Sequence, residues 1–353
     1  MKGRVVVIDR IDGREAAALV VDGQLDDFLI DPPDQAEPQP GSIHLAIADR
    51  PIKGQNGIIV RLSGGARGFL RQASGIAPGQ SLLVQVATWA EEGKAAPVST
   101  RLLFKGRYAI LTPGARGRNV ARSIRDDEER DRLTEIAHVG MEGAEEDMGL
   151  ILRSVAAGTD EAAILEEIAE LRSTAEAVLA EAGGREPILL MDAPSAGYQA
   201  WRDWAEPDPD AVYEGDGSFE EHGIFDLLDL ATSARVSLGP DAFMFVEATR
   251  ALVAVDVNTG GDFSFAAGLK ANLAAIRALP RALRLKGLGG QIVVDLAPMG
   301  KKDRRTLEQA LTRALKTDPV ETAFVGWTPL GHIELQRKRE RLPMAGQLAT
   351  LID

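Results

Sequence analysis

Asp256 and Asp295 are the residues of this chain best placed to do chemistry. Each closes a short apolar run, Ala251-Leu-Val-Ala-Val-Asp256 and Gly290-Gln-Ile-Val-Val-Asp295. Val- and Ile-rich runs of this length read as parallel strands buried on both faces, each delivering a carboxylate at its end. Between them, roughly from Phe263 to Leu285, an Ala/Leu-rich segment has helical spacing. Strand, helix and strand in that order form a right-handed unit with parallel strands, often side by side. The two aspartates then emerge at one edge of one sheet, where ligands of open α/β sheets bind. Two converging carboxylates repel each other unless a cation lies between them. Hard oxygen donors, with no Cys or His nearby in the sequence, favour Mg²⁺ or Mn²⁺. Asn258, two residues beyond Asp256 and so on the same strand face, has an amide that can orient the carboxylate. Taken singly, an aspartate after an apolar strand is more often a turn former or helix cap. The pairing is what points to a metal.

The charge of the chain is uneven. Its formal net charge is −13, whereas nucleic-acid binders usually carry a basic surplus. Yet Arg101, Lys105, Arg107, Arg116, Arg118, Arg122 and Arg125 lie in a stretch with no acid, and Lys301, Lys302, Arg304 and Arg305 follow Asp295. A third basic group is Arg337, Lys338, Arg339 and Arg341. Much of the acidity is confined to residues 126–181. Any one of these cations is an ordinary solvated side chain. Together, beside a metal site, they favour a phosphate-bearing polymer whose binding weakens with salt.

With 353 residues the chain is long enough for two or three domains. The absence of Cys excludes disulfides and thiolate metal sites and suits the cytoplasm. The opening run is too short and too charged for a signal peptide, and no segment approaches a membrane span. Residues 2–9 and 16–31 read as strands with Asp22-Gly23 as a turn, and Asp31 to Gly41 is a Pro-rich linker. Short strands punctuated by glycine over 42–104 suggest a five-stranded OB-type barrel. Gly149-Leu-Ile-Leu reads as a strand before Arg153 and Ser154. Glu161 to Ala182 reads as a helix with Leu165, Ile168, Leu171, Ala175 and Leu179 on its apolar face. A strand at 186–192, a helix at 198–204 and a Pro/Asp/Gly-rich loop follow. His44, His138, His222 and His332 are scattered, and structural roles are expected for them.

Val-Asp256-Val-Asn258-Thr-Gly, Leu-Lys-Ala-Asn272-Leu-Ala-Ala, Leu-Lys-Gly-Leu-Gly-Gly-Gln-Ile-Val-Val-Asp295-Leu and Leu330-Gly-His-Ile-Glu-Leu-Gln-Arg-Lys-Arg339 together resemble the catalytic core of the ribonuclease E/G family. The likeness is dense over residues 240–342 and patchier before them. It implies an α/β multidomain protein. An RNase H-like subdomain (1–37 and 185–228) is interrupted by an OB-fold RNA-binding domain (38–105) and a 5′-sensor-like module (106–184), and a DNase I-like catalytic subdomain (229–353) follows. The implied reaction is Mg²⁺-dependent endonucleolytic hydrolysis of single-stranded RNA, leaving 5′-phosphate and 3′-hydroxyl ends. Asp256 and Asp295 would hold the ion and Asn258 would support Asp256. Phe69 would stack a base and Lys94 would meet the RNA backbone, with Phe69 as a core residue the alternative. Arg153 and Ser154, with Ile110 as an apolar floor, match a pocket that senses a 5′-monophosphate, although Arg153 also reads as a surface residue closing a strand. Lys301 and Lys302 are expected on the RNA backbone.

The chain departs from the family pattern in several places. Ile59 stands where an aromatic is usual, the loop after Asn258 is short, and Arg250 replaces a common acid. No paired-Cys zinc link is present, so no zinc is expected, and a monomer or a dimer without a zinc link is anticipated. Two rivals remain at this level: a non-catalytic RNA-binding or regulatory relative, and a Mg²⁺-dependent phosphohydrolase acting on small nucleotides.

Overall fold

Asp12-Gly13 and Asp22-Gly23 turn the chain twice near its start, with φ of 52° and 78° in the first pair and 48° and 79° in the second. Positive φ at both central residues makes the tight turn whose twist matches a two-stranded ribbon, and Asp-Gly is a favoured pair for it. The turns join β1 (Arg4–Ile11), β2 (Arg14–Val21) and β3 (Gln24–Ile30). The computed structural model describes residues 2–33, 38–52, 54 and 56–348. It divides into two units, residues 1–32 with 211–353 and residues 33–210.

In the unit of residues 33–210, β4 (Ile43–Ile52), β5 (Gly57–Arg61), β6 (Arg67–Arg71), β7 (Ser81–Val86) and β8 (Ala96–Ser99) run in the order β4-β5-β6-β8-β7, and β7 pairs back onto β4. Closure removes both sheet edges, and the parallel β6–β8 pair completes an OB-like five-stranded barrel. Alternate residues fill it, among them Ala46, Ile58, Val60, Leu70, Val84 and Val98. Next come β9 (Phe104–Lys105), β10 (Ala109–Pro113), β11 (Arg118–Val120) and β12 (Met148–Leu152), in the order β11-β12-β10-β9. They share a core with α1 (Asp127–Gly140) and α2 (Glu161–Ala180). Ile164, Ile168, Ala175 and Val178 are the buried stripe of α2, while Leu165, Leu171 and Leu179 flank it. The strand expected at 186–192 is β13 (Ile188–Met191). It pairs with β4 of the barrel, not with residues 1–37 as expected of the segment 185–228. α3 (Ala196–Asp203) follows.

The other unit resumes at β14 (Ala211–Glu214), which lies parallel to β1 and completes the sheet β14-β1-β2-β3. Two short helices, α4 (Ser218–Glu221) and α5 (Ile224–Thr232), bury Phe219, Ile224 and Leu228 with Phe28. A second sheet then forms from β15 (Arg235–Ser237), β16 (Phe243–Ala248), β17 (Val253–Asn258), β18 (Gly290–Asp295), β19 (Thr322–Trp327) and β20 (Ile333–Arg337), in the order β15-β16-β17-β18-β20-β19. Helices α6 (Phe265–Leu285) and α7 (Arg304–Thr317) share one core with this sheet. Val253, Val255 and Val257 are buried, whereas Ala254 and Asp256 are exposed. The strands expected to be buried on both faces are therefore buried on one only. A mixed sheet covered by helices on one side alternates in this way, and its carboxylates stand on the open face. No helix among the described residues is long and apolar enough to cross a membrane.

A buried ion cluster ties the two sheets of this unit together. Arg284 of α6 meets Asp318 at 2.5 Å and Asp26 at 3.3 Å, Arg337 of β20 meets the other oxygen of Asp318 at 2.5 Å, and Arg341 grips both oxygens of Asp27. Burial opposes ionisation of Asp27, but Arg341 and Arg284 outweigh it and hold its carboxyl below the ordinary 3.8. A lowered folded value means the pair's contribution is complete above the unfolded pKa and is lost as pH falls through the folded one. Asp27→Asn should cost about 3–5 kcal/mol at pH 7, because it strands buried guanidinium charge. Urea melts at pH 7 and pH 3 should show the gap between mutant and wild type shrinking below pH 4. An equal gap at both values would refute this role.

Candidate active site

The two aspartates meet by strand register. β17 and β18 are parallel neighbours with Asp256 directly opposite Asp295. Opposed residues on one sheet face have Cβ atoms about 4.5–5.5 Å apart, and like charges there destabilise the pair. Both side chains are exposed, Asp295 to 62%. Asn258 donates its amide to Asp256 Oδ2 at 2.9 Å, as its position two residues along the strand anticipates. His332 Nδ1 lies 3.0 Å from Asp295 Oδ1. The expectation that no histidine neighbours the pair is thus corrected. The antiparallel β18–β20 ladder sets Val294 against Ile333 and so brings the preceding His332 to Asp295. Sequence distance conceals this contact, and no local signal announces it.

The segment beyond Asp295 is fixed from below by α6. Ser264 caps that helix, accepting a bond from the Ala267 amide at 3.2 Å. At Gly268 the helix passes so close to the chain that a Cβ would stand 1.9 Å from the Pro298 carbonyl oxygen. Asn272, fully buried, donates to the Ala297 carbonyl at 2.8 Å and accepts from the Ala297 amide at 2.9 Å. A polar residue on an otherwise apolar helix face was the sequence signal for this clamp. The clamped residue, Ala297, is two residues beyond Asp295, and Asn272 lies within the Leu-Lys-Ala-Asn-Leu-Ala-Ala motif.

The donor set fits a hard divalent cation. Asn258 engages one oxygen of Asp256, and His332 engages one oxygen of Asp295. Among the described residues no group of three or more His or carboxylate side chains gathers into a complete cage. Two carboxylates with the remaining positions left to water is the coordination Mg²⁺ tolerates best.

The other expected residues are placed as follows. Lys301 and Lys302 are exposed in a 3₁₀ turn (Lys301–Asp303) after β18, ahead of α7. Phe69 is not in the barrel interior. It sits partly buried on the outer face of β6, opposite Ile59, with its ring over Gly57, where a Cβ would come within 2.5 Å of it. Lys94 is exposed and pairs with Glu91 at 2.5 Å. Ile110 is partly exposed opposite Ile151 on β12. Arg153 donates to the carbonyls of Gly106 and Arg202 at 2.8 and 3.2 Å and meets Asp203 at 3.1 Å, while Ser154 donates to Glu206. Burial opposes the charge on Asp203, yet Arg202 and Arg153 hold its carboxyl below the ordinary value. Arg153 thus already carries a counter-ion.

Asn272→Leu should remove both bonds to Ala297 and leave that buried peptide unsatisfied, costing about 2–4 kcal/mol. Because the freed Ala297 lies two residues beyond Asp295, any activity that depends on the aspartate pair should fall further than the melt implies. Activity that follows the folded fraction alone would rule out a positioning role.

A sequence model described as the Ribonuclease E/G family matches residues 104–216 and 211–340. Ribonuclease G of Escherichia coli is 30% identical over an alignment covering 74% of this chain and 60% of that protein. Ribonuclease E of Nostoc sp. is 28% identical over 86% of this chain and 51% of its own length. For Ribonuclease E of Synechocystis sp. the figures are 26%, 96% and 57%. The chain thus spans between about half and three-fifths of the relatives it matches. A family match over most of the sequence establishes that this chain belongs to the ribonuclease E/G family.

Proposed function

We propose that the chain is a Mg²⁺-dependent endoribonuclease that cuts single-stranded RNA to 5′-phosphate and 3′-hydroxyl products in RNA processing or decay. The observation that carries this reading is the in-register pair Asp256 and Asp295 on an open sheet face, with Asn258 bonded to the first. Family membership and the ribonuclease names of the relatives support the substrate class. Asp256 and Asp295 would hold a divalent ion, which when bound would supply Lewis-acid stabilisation of charge on the scissile phosphate and an activated water. Mg²⁺ would be that ion, with Mn²⁺ as a substitute. Asn258 orients Asp256, His332 steadies Asp295, and Asn272 fixes the backbone behind it. Lys301 and Lys302 meet backbone phosphates near the cut. On the barrel, Phe69 offers its outward ring to a base and Lys94 its ammonium to the backbone. The cytoplasm is the compartment that suits this role and a chain without cysteine.

Sensing of a 5′-monophosphate by Arg153 and Ser154, over Ile110, is the part of this reading that the geometry constrains most. The fork of Arg153 suits a terminal phosphate, but the Asp203 and Glu206 carboxylates have to yield before one can enter. Arg153→Ala should abolish any preference for 5′-monophosphate over 5′-hydroxyl RNA in paired cleavage assays, and an unchanged ratio would remove the sensor role.

The central test uses Asp256→Asn and Asp295→Asn with a 5′-monophosphorylated single-stranded oligomer, with and without Mg²⁺. Each variant should lose cleavage altogether. The melts should move little, because both side chains are exposed and surface substitutions usually stay within about 0.5 kcal/mol. Full activity in either variant would sink the two-carboxylate mechanism. Wild-type protein that binds the oligomer without cutting it would instead favour a non-catalytic relative, and cleavage of mononucleotides alone would favour a small-nucleotide phosphohydrolase.

A further inference from the structure

We infer that Phe243, Phe245 and Arg235 form a nucleobase subsite beside the aspartate pair, taking one unpaired base of the RNA together with an adjoining phosphate. The inference rests on the nuclease reading above. Its basis is a single row across four strands: Arg235 of β15 opposes Phe245 of β16, Phe245 opposes Asp256, and Asp256 opposes Asp295. Phe243 opposes Asn258 one row along. Neighbouring strands lie about 4.8 Å apart, so the Phe245 position is one strand spacing from Asp256 and Arg235 is two.

The rings are not core residues. Met244 and Val246 on the same strand point into the core, whereas Phe243 and Phe245 are partly exposed and do not join the cluster beneath the sheet. They meet edge to face, with centroids 5.5 Å apart and planes at 80°, a favoured aromatic geometry. The Arg235 guanidinium lies 4.3 Å from the Phe243 ring centroid, and no carboxylate among the described residues pairs with it. An aromatic pair on the carboxylate face, with an unneutralised cation stacked against it, matches a nucleotide in order: phosphate at the aspartates, base on the rings, next phosphate at the arginine. Every base has a π face, so such a platform accepts any sequence. A duplex keeps its bases stacked on one another and cannot offer one, so the subsite would itself select single strands.

The test is a cycle of protein and RNA changes read as kcat/KM in Mg²⁺. The intact oligomer is compared with versions lacking one base at each position flanking the cut. Wild type should lose about 10- to 100-fold when the stacked base is missing. The Phe243→Leu/Phe245→Leu double variant keeps apolar volume without a π face. It should lose as much on intact RNA and be indifferent to the missing base, while the corresponding Tyr variants retain wild-type behaviour. Arg235→Gln should lower the slope of log Kd against log salt by about 1. If the Leu variant cleaves intact RNA like wild type, or keeps the full penalty for the missing base, the subsite is overturned while the nuclease stands. Wild-type protein that cuts no RNA would overturn the nuclease reading, and the subsite with it.

Discussion

Asp256 and Asp295 are held where electrostatics would part them. Side by side on parallel strands their carboxylates repel, and both stand exposed. The pairing survives because everything beneath it is apolar and closely packed. Val253, Val255 and Val257 lie beside Ile292 and Val294 on the inner face of the sheet, in a core completed by Ala271, Ala275, Ile276 and Leu279 of α6. Burial of that face supplies the favourable free energy, roughly 25 cal/mol for each Å² of apolar surface removed from water. The repulsion above is what the proposed cation would relieve. Gly268 and Asn272 extend the arrangement past the strand end, since the helix that covers the core also clamps the chain carrying Asp295.

Legibility followed the range of the interactions. The strand–helix–strand unit and the aspartate pair could be read because a Val/Ile-rich apolar run closed by an aspartate and the right-handed crossover are local rules. The barrel was legible for a related reason, since glycine-punctuated alternation sets both strand length and facing. Burial on both faces was misjudged, because Ala254 and Val293 are small or apolar without being covered. His332 was missed because its approach to Asp295 depends on the pairing of β18 with β20, which no nearby residue specifies. β13 went to the barrel for a similar reason: an isolated apolar strand does not state which sheet edge it will complete.

Charge placement explains how an acidic chain can serve an anionic substrate. Several cations are spent internally: Arg284, Arg337 and Arg341 on Asp318 and Asp27, and Arg153 on Asp203. Those left exposed near the open face, Lys301, Lys302 and Arg235, carry no such partner among the described residues. Net charge counts both classes alike. A polyanion meets only the second, so the total of −13 says little about its reception.

The cluster joining Asp26 and Asp27 to Arg284, Asp318 and Arg341 also bears on how the chain comes into being. Residues 33–210 carry all the strands of their own unit and have a complete core once they have left the ribosome. The hairpins β1–β3 precede that unit in the chain, whereas β14, Phe219 and the charged partners Arg284 and Arg341 follow it. During synthesis the opening strands therefore wait, partly clothed, while a whole unit folds behind them. Domains generally fold as they emerge, and exposed strand edges invite wrong partners. Strands β1–β3 thus stay incomplete until the segment from β14 to Arg341 has been translated.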